Sequence, residues 1–329
     1  MSWPAGFSGI QTAAPVESKA SAKPRGTIAV IASSRPLPGS FYVSASSNRL
    51  FFLYHELRNT PSSYSYVMER RQFEAHADLF LRLRAAAGNT NLWPEITFDD
   101  GHISNHELAL PALAGRNLTA TFFLTVGWMG TRAGYMNWSQ VKALHAAGQR
   151  IGAHGWSHAL LTHCTDAALE KELRWARLTL EDRLGTAVTW MSLPGGRFNQ
   201  RVLSACRAAG YEHVFTSSPH AEPAQLPFLP GRLNLRSGVS PADLEQLLDP
   251  ASGALRRLKR QDRWKSALKR SLGDRLYARL WAALNRQERE QQAPEQQAPE
   301  EEPAPMPQTA IGEEQKTGGK SGEAGVPEP

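Results

Sequence analysis

The sequence predicts an α/β fold, a (β/α) barrel, on three observations. Apolar runs of strand length alternate about seven times with helix-period segments, at spacings that suit βα units. No Gly-x-Gly-x-x-Gly opens any of these helices, so the dinucleotide-binding form of an α/β sheet is not indicated. The polar residues able to do chemistry gather where strands end, the rim at which such barrels place their chemistry.

Taken in order, Gly26 to Ser34 reads as a short strand, soon interrupted by Pro36 and Pro38. Arg49 to Glu56 is a buried strand with His55 near its end. Gln72 to Ala87 places Phe73, Ala77, Phe80, Leu81 and Arg84 at helical spacing. Glu95 to Phe98 is the apolar approach to Asp99, Asp100 and Gly101. Asn105 to Arg116 is helical, with Leu108, Pro111 and Leu113 towards the core, and Thr119 to Val126 is a strand by β-branched and aromatic content. Trp138 to Ala147 is a helix closed by Gly148. Ile151 to Ala153 is a strand delivering His154 and His158. Asp166 to Leu184 is a long amphipathic helix, capped by Thr165 or Asp166 and ended by Gly185. Ala187 to Leu193 is a strand leading into Pro194-Gly195-Gly196-Arg197, and Gln200 to Ala209 a helix ended by Gly210. His213 to Ser217 and Arg232 to Leu235 complete the strands.

The flanks differ in character. Residues 1–26 lack an apolar signal core and read as unstructured, which leads to the expectation of a cytoplasmic protein. Residues 27–248 are the expected barrel domain. Leu255 to Asn285 is a basic amphipathic helix, with Leu268, Leu272, Leu276, Leu280 and Leu284 every four residues and Trp264, Tyr277 and Trp281 interleaved. Its leucine stripe either packs on the barrel or lies on an anionic membrane surface, which would place the protein peripherally at the inner membrane face. No recognition motif accompanies the charge, so no nucleic acid partner is expected. From Arg286 onward there are 10 acidic and 4 basic residues, so this tail carries about −6 and the remainder about +12 of the net +6. Its Gln-Gln-Ala-Pro-Glu repeats predict an acidic disordered tail over 286–329. Two cysteines without a Cys-x-x-Cys exclude both a disulfide framework and a cysteine-built zinc site.

The chemistry concentrates in two strand ends. Asp99 and Asp100 are costly to desolvate, so they face water, a cation or a substrate. About fifty residues on, His154 and His158 stand four apart after a second short strand. Either motif alone is weak: paired acids also cap helices, and a histidine pair is common. Together, Asp and two His form a catalytic zinc ligand set that leaves one position open for water.

These segments resemble the polysaccharide deacetylases, carbohydrate esterase family 4 or the NodB-homology domain. Thr97-Phe98-Asp99-Asp100-Gly101 is similar to that family's first motif and His154-Gly155-Trp156-Ser157-His158 to its second. Ser192-Leu193-Pro194-Gly195-Gly196 is similar to its third, and Tyr54-His55 and Phe73 match residues of many members. The resemblance covers roughly residues 48 to 236. It implies a distorted, incomplete (β/α) barrel. It assigns Asp100, His154 and His158 to a divalent metal, zinc by expectation, and Asp99 to the general base. It gives the backbone around Gly195 to the oxyanion, with Pro194, Gly196, His102 and Trp156 as substrate-binding residues. The implied reaction is metal-dependent removal of an acetyl group, as acetate, from an N-acetylated sugar such as N-acetylglucosamine in a polysaccharide or glycan precursor, with an N-acetylated glycan or glycolipid as the substrate.

Two departures stand out. Where the family has an arginine that pairs with the base, this chain has Ser192, and Arg197 is the expected substitute. Where the family has a late histidine as general acid, this chain reads Leu233-Asn234-Leu235-Arg236, leaving His220, His163, His102 or His55 to donate the proton. The departures keep open a carbohydrate-binding barrel that has lost turnover. A glycoside hydrolase using the paired acids alone is a third reading.

Overall fold

The computed structural model describes residues 48–85 and 92–264. The strand expected at 26–34, the unstructured start, residues 265–285 of the basic helix and the acidic tail lie outside the described residues.

The chain runs β1 (Asn48–Tyr54), β2 (Glu56–Arg58), β3 (Val67–Glu69), α1 (Arg70–Ala85), β4 (Leu92–Phe98), α2 (Leu110–Ala114) and β5 (Ala120–Leu124). It continues through α3 (Trp138–Ala146), β6 (Arg150–Ala153), α4 (Asp166–Glu170), α5 (Ala176–Leu184) and β7 (Trp190–Ser192). It ends with α6 (Gln200–Ala208), β8 (His213–Phe215), β9 (Leu233–Asn234) and α7 (Pro241–Leu248). Seven strands form one parallel sheet in the order β8-β7-β6-β5-β4-β1-β9. Chain order and spatial order agree from β4 to β8, as successive right-handed βα units require.

The sheet curls but closes irregularly. No β8–β9 ladder joins its ends among the described residues; a single extended segment bridges them instead. Phe228 and Pro230 accept backbone hydrogen bonds from Val214 (2.7 Å) and Thr216 (2.9 Å) at β8. The same chain then reaches β9, where Leu233 pairs with Phe52 of β1. This is the distorted, incomplete (β/α) barrel expected, and the bridging segment carries Arg232 into its interior.

Alternation along each strand sorts the two cores. Leu50, Phe52 and Tyr54 of β1, Ile96 and Phe98 of β4, and Phe122 and Leu124 of β5 join the helices in the main core. Phe51, Phe123 and Phe215 form a separate buried cluster on the opposite face, inside the barrel. At about 25 cal/mol per Å², each such fully buried aromatic stabilises the fold by roughly 2–3 kcal/mol.

Several expectations need correction. The helix over 105–116 begins as a π-helix, Asn105–Ala109, and the helix over 166–184 contains another, Lys171–Trp175. Each wide turn adds a residue and rotates the following face by about 100°. Pro111 is therefore exposed, while Ala109, Ala112 and Leu113 are buried. The strands β2 and β3 and the helix α7 were not anticipated; two of these are only three residues long. Thr165 is the N-cap of α4, accepting from Ala168, and Gly185 ends α5 with φ 67°. Residues 254–264 are helical, as expected for the start of the basic helix. No helix among the described residues is long and apolar enough to cross a membrane.

Candidate metal centre and active site

The site lies where β1, β4, β6, β7 and the bridging segment meet at the barrel mouth. Adjacent residues on a strand point to opposite faces, so two neighbouring acids should diverge. Asp99 continues the inward alternation of β4, its N–H bonding Tyr54 O at 3.0 Å. Asp100 leaves that alternation through a left-handed backbone at φ 73°, followed by Gly101 at φ 85°. The turn swings its carboxylate over the mouth. There Asp100 Oδ1 lies 3.3 Å from His154 Nε2 and 3.4 Å from His158 Nε2. His158 also has a left-handed backbone, φ 63°, a strained conformation for a non-glycine residue.

Ligand atoms of Asp100, His154 and His158 all lie within 4.8 Å of one another, and these residues fit a divalent cation on three counts. First, Asp100 Oδ1 is buried and accepts no hydrogen bond, despite the two imidazoles beside it. Second, His154 Nδ1 lies 2.9 Å from the Ser192 carbonyl, so it donates there and leaves Nε2 with its lone pair facing the site. Third, an oxygen and two imidazole nitrogens are a donor set that suits zinc.

Asp99 is held differently. Arg232 donates from Nη1 to Asp99 Oδ1 at 2.7 Å and from Nη2 to Asp99 Oδ2 at 2.8 Å. Ser192 Oγ donates to Asp99 Oδ2 at 2.8 Å and accepts from Arg232 Nη2 at 2.6 Å. The Arg232 Nε–H bonds Thr216 O at 3.2 Å, and its guanidinium lies 5.2 Å from the Phe123 ring centre. Arg232 is 0% and Asp99 3% exposed, so this pair is fully removed from water. Burial pushes the Asp99 carboxyl up, but Arg232 and then His154 outweigh it and hold the group below the usual carboxylate range. Asp99 Oδ2 is 3.8 Å from His154 Nε2, beside the three ligand atoms.

Arg232 is the functional residue that the sequence reading missed. The guanidinium that meets Asp99 comes from the bridging segment, not from Arg197. Ser192 explains why: its small side chain leaves space at the end of β7 for an arginine entering from the other side. An arginine opening an apolar strand, together with the serine at 192, was the available signal.

A second buried acid shapes the histidine loop. Glu172, in the π-turn between α4 and α5, accepts the Trp156 N–H at 2.8 Å and the Ser157 N–H at 3.0 Å. The Ser157 hydroxyl donates to its other oxygen at 2.5 Å. Gly155 has φ 78°, and a Cβ there would stand 2.7 Å from Glu172 Oε2, so a side chain is excluded on both grounds.

The remaining candidates are placed as follows. Pro194, Gly195 and Gly196 form a short turn after β7, with both glycines left-handed. The Gly196 N–H is engaged by Leu193 O at 2.8 Å, which makes Gly195 the candidate donor of this turn. Trp156 packs against Gly127, and Lys171 Nζ lies 5.8 Å from its ring centre. His102 Nδ1 is 2.9 Å from Ser104 Oγ. His55 follows β1, and its buried Nδ1 has no hydrogen-bond partner. Burial lowers its pKa, with Asp100, Asp99, His154 and Arg232 as the next influences, so it stands in the field of this site.

Residues 94–214 match the family model described as polysaccharide deacetylase. A chitin deacetylase of Pestalotiopsis sp is 32% identical over 123 residues, 37% of this chain and 40% of that protein. Chitin deacetylase 1 of Cryptococcus neoformans is 27% identical over 128 residues, 39% of this chain and 26% of that one. The chain thus spans less than half the length of these curated relatives. A Streptococcus pyogenes deacetylase, solved with acetate, superposes with a TM-score of 0.56 at 18% identity, over 62% of this chain and all (100%) of that one. A polysaccharide deacetylase from Bacillus cereus gives 0.54 at 19% identity, over 62% and 69% of the two chains. These two likenesses show the fold. Residues 94–214 are thus the part of this chain that resembles the polysaccharide deacetylase family.

Proposed function

We propose that this chain hydrolyses the N-acetyl group of a sugar within a glycan, using a divalent cation held by Asp100, His154 and His158. One observation carries the reading: the two adjacent acids are divided between jobs. Asp100 Oδ1 faces both histidine Nε2 atoms at 3.3 and 3.4 Å, while Asp99 is turned inward onto Arg232.

A bound cation, zinc by this donor set, would make a water nucleophilic near neutral pH and polarise the acetyl carbonyl. Asp99 accepts a proton from the attacking water, its ionised form favoured by Arg232 and Ser192. The water oxygen bonds to the acetyl carbon, and the Gly195 N–H would stabilise charge on the carbonyl oxygen. As the C–N bond breaks, the departing nitrogen takes up the proton that Asp99 accepted from the water. The products are acetate and the free amine of the sugar. Of the four histidines considered, His220 is engaged with Glu222 at 2.7 Å, His102 with Ser104 at 2.9 Å, and His163 is exposed. That leaves His55, with its buried unpaired Nδ1, as the one whose neutral ring stands beside this proton transfer.

Arg232 beside Asp99 favours turnover over a barrel that only binds carbohydrate, because it supplies the cation that position 192 lacks. The convergence of two histidines on Asp100 argues against a glycoside hydrolase working through paired acids. The test is acetate release from N-acetylglucosamine oligomers by zinc-loaded protein, compared with Asp99→Asn. The expected drop for Asp99→Asn is about 10²- to 10⁴-fold. No acetate from any N-acetylated glycan, with zinc demonstrably bound, overturns the reading and leaves the binding barrel.

A surface role for the basic helix is a second proposal. Residues 254–264 include Arg256, Arg257, Lys259, Arg260 and Arg263, and Trp264 is 74% exposed at their end. Such a face suits anionic lipid. Removing residues 255–285 should release the protein from phosphatidylserine vesicles; unchanged binding refutes this role.

A further inference from the structure

Arg232 reaches Asp99 from a segment with little ladder of its own. In the strand that follows it, only Leu233 and Asn234 pair with β1. An arginine side chain is long and rich in rotamers, so where its guanidinium arrives depends on how the backbone beneath it is held. On the N-terminal side that backbone is fixed twice. Pro230 O accepts the Thr216 N–H at 2.9 Å, and the Gly231 N–H donates to Glu222 Oε1 at 2.6 Å. Glu222 therefore holds the residue directly before Arg232.

Glu222 is itself anchored. Its N–H donates to Arg49 O at 2.7 Å and its carbonyl accepts the Arg49 N–H at 2.5 Å, which pins it beside the start of β1. It is 3% exposed, and His220 Nε2 lies 2.7 Å from the same oxygen that receives Gly231. Gly231 is closely packed as well: a Cβ there would stand 2.2 Å from Ser218 O and 2.4 Å from His220 Cε1. Only a glycine lets the chain pass this near to both and still bond the carboxylate. The side chain of Glu222 thus closes the loop that ends at the arginine, and the hydrolytic scheme gives it no part.

We propose that Glu222 is a positioning residue for Asp99: by clamping Gly231 it sets the backbone from which Arg232 reaches the base, and so governs turnover without touching substrate or cation. This rests on the N-acetyl-glycan reading above, in which Asp99 is the base. A reacting group misplaced by about 1 Å can cost about 10²-fold in rate. The two-pronged guanidinium passes any backbone movement to both oxygens of Asp99 at once. Ser192 makes the clamp necessary. An arginine at the end of β7 would be held by the sheet ladder, whereas one entering from the bridging segment needs an anchor of its own.

The experiment pairs a structural readout with a kinetic one. In isotope-labelled protein, the buried Arg232 guanidinium should give an NMR signal protected from solvent exchange, assigned by its loss in Arg232→Lys. Glu222→Ala should broaden or lose that signal and lower kcat on N-acetylglucosamine oligomers by about tenfold or more. KM and zinc affinity should stay within about twofold. Glu222→Gln still presents an oxygen to Gly231 and should recover most of both losses, which general destabilisation of the loop does not produce. If Glu222→Ala does not fold, Glu222→Asp, one methylene shorter, takes its place with losses in the same direction. Either a wild-type Arg232 signal or a wild-type kcat in the folded Glu222→Ala or Glu222→Asp protein overturns the proposal. Zinc-bound wild type that releases no acetate, with an Arg232 signal that still depends on Glu222, would instead sink the hydrolytic reading and leave the clamp on Arg232 standing.

Discussion

Arg232 and Asp99 meet through two hydrogen bonds, of 2.7 and 2.8 Å, across 133 positions of sequence. Both are shut off from water, and Ser192 stands between them. A buried ion pair of this kind is poor evidence of net stability, because desolvating two charges offsets much of their attraction. Its value lies in orientation: the guanidinium fixes which way the Asp99 carboxylate faces and keeps it ionised.

Removing Arg232 should therefore harm catalysis and stability together, in separable ways. Arg232→Ala leaves a buried carboxylate without its counter-charge, which should cost about 3–5 kcal/mol of stability by chemical denaturation. Arg232→Lys keeps the charge but loses the two-pronged geometry. It should fold, bind zinc as the wild type does, and lose about 10- to 1000-fold in kcat with KM little changed. Wild-type kcat in a folded Arg232→Lys protein would show that Asp99 needs no oriented partner.

The main features of the site were legible because they are local. Asp99, Asp100, His154 and His158 each follow a strand within a residue or a few, so strand-end polarity and spacing exposed them. Most helix and strand positions were legible for the same reason: Phe73, Ala77 and Phe80 repeat at helical spacing and are buried in α1. Arg232 was not, because its role depends on the bridging segment crossing from β8 to β1, a tertiary fact with no local period. The π-turns were also hidden. An extra residue in one turn leaves composition unchanged while rotating everything after it, which is how Pro111 came to be assigned to the core and Glu172 was passed over.

The proposed cation has a readout independent of turnover. Ligands that bind only the folded state stabilise it by RT ln(1 + [L]/Kd), about 2.7 kcal/mol at one hundred times Kd. Chelator-treated protein should thus show a rise in Tm on zinc addition. Asp100→Ala and His154→Ala should lose most of that rise, whereas Asp99→Asn should keep it. A zinc-dependent rise that is intact in Asp100→Ala would place the cation elsewhere.

His76 should make the fold acid-sensitive. It is fully buried in α1, with Nδ1 3.1 Å from Tyr54 Oη and Nε2 2.9 Å from Val239 O. The neutral ring satisfies both neighbours, donating from Nε2 to the carbonyl and accepting the tyrosine proton at Nδ1. Burial lowers its pKa to about 4. An unfolded histidine titrates near 6.5. Between these values the unfolded chain binds the extra proton, so this contribution is complete above about pH 6.5 and is lost as pH falls towards 4. The loss should approach about 1.4 kcal/mol per pH unit, roughly 3 kcal/mol in all. Denaturant titrations of wild type and His76→Gln across pH 4–7 isolate it, since other groups cancel in the difference. Parallel pH profiles would refute the assignment.

Glu172 offers the sharpest test of how the histidine loop is held. Its carboxylate gathers two N–H groups and a hydroxyl from Trp156 and Ser157, directly before His158. Glu172→Gln keeps the size but gives up the charge, and its amide NH₂ can no longer accept on that side. Removing a group that orients a metal-bearing segment typically weakens metal binding by about 10- to 100-fold. Glu172→Gln should show such a loss in zinc affinity, measured by competition with a chelating dye. Glu172→Ala should lose more, because each N–H left unpaired costs about 1–3 kcal/mol. Affinity should recover partly in Glu172→Asp if the shorter acid still reaches one N–H, a pattern that general loosening of the helix does not produce. Wild-type zinc affinity in folded Glu172→Gln and Glu172→Ala would mean that the left-handed backbone of Gly155 and His158 holds the loop without the clamp.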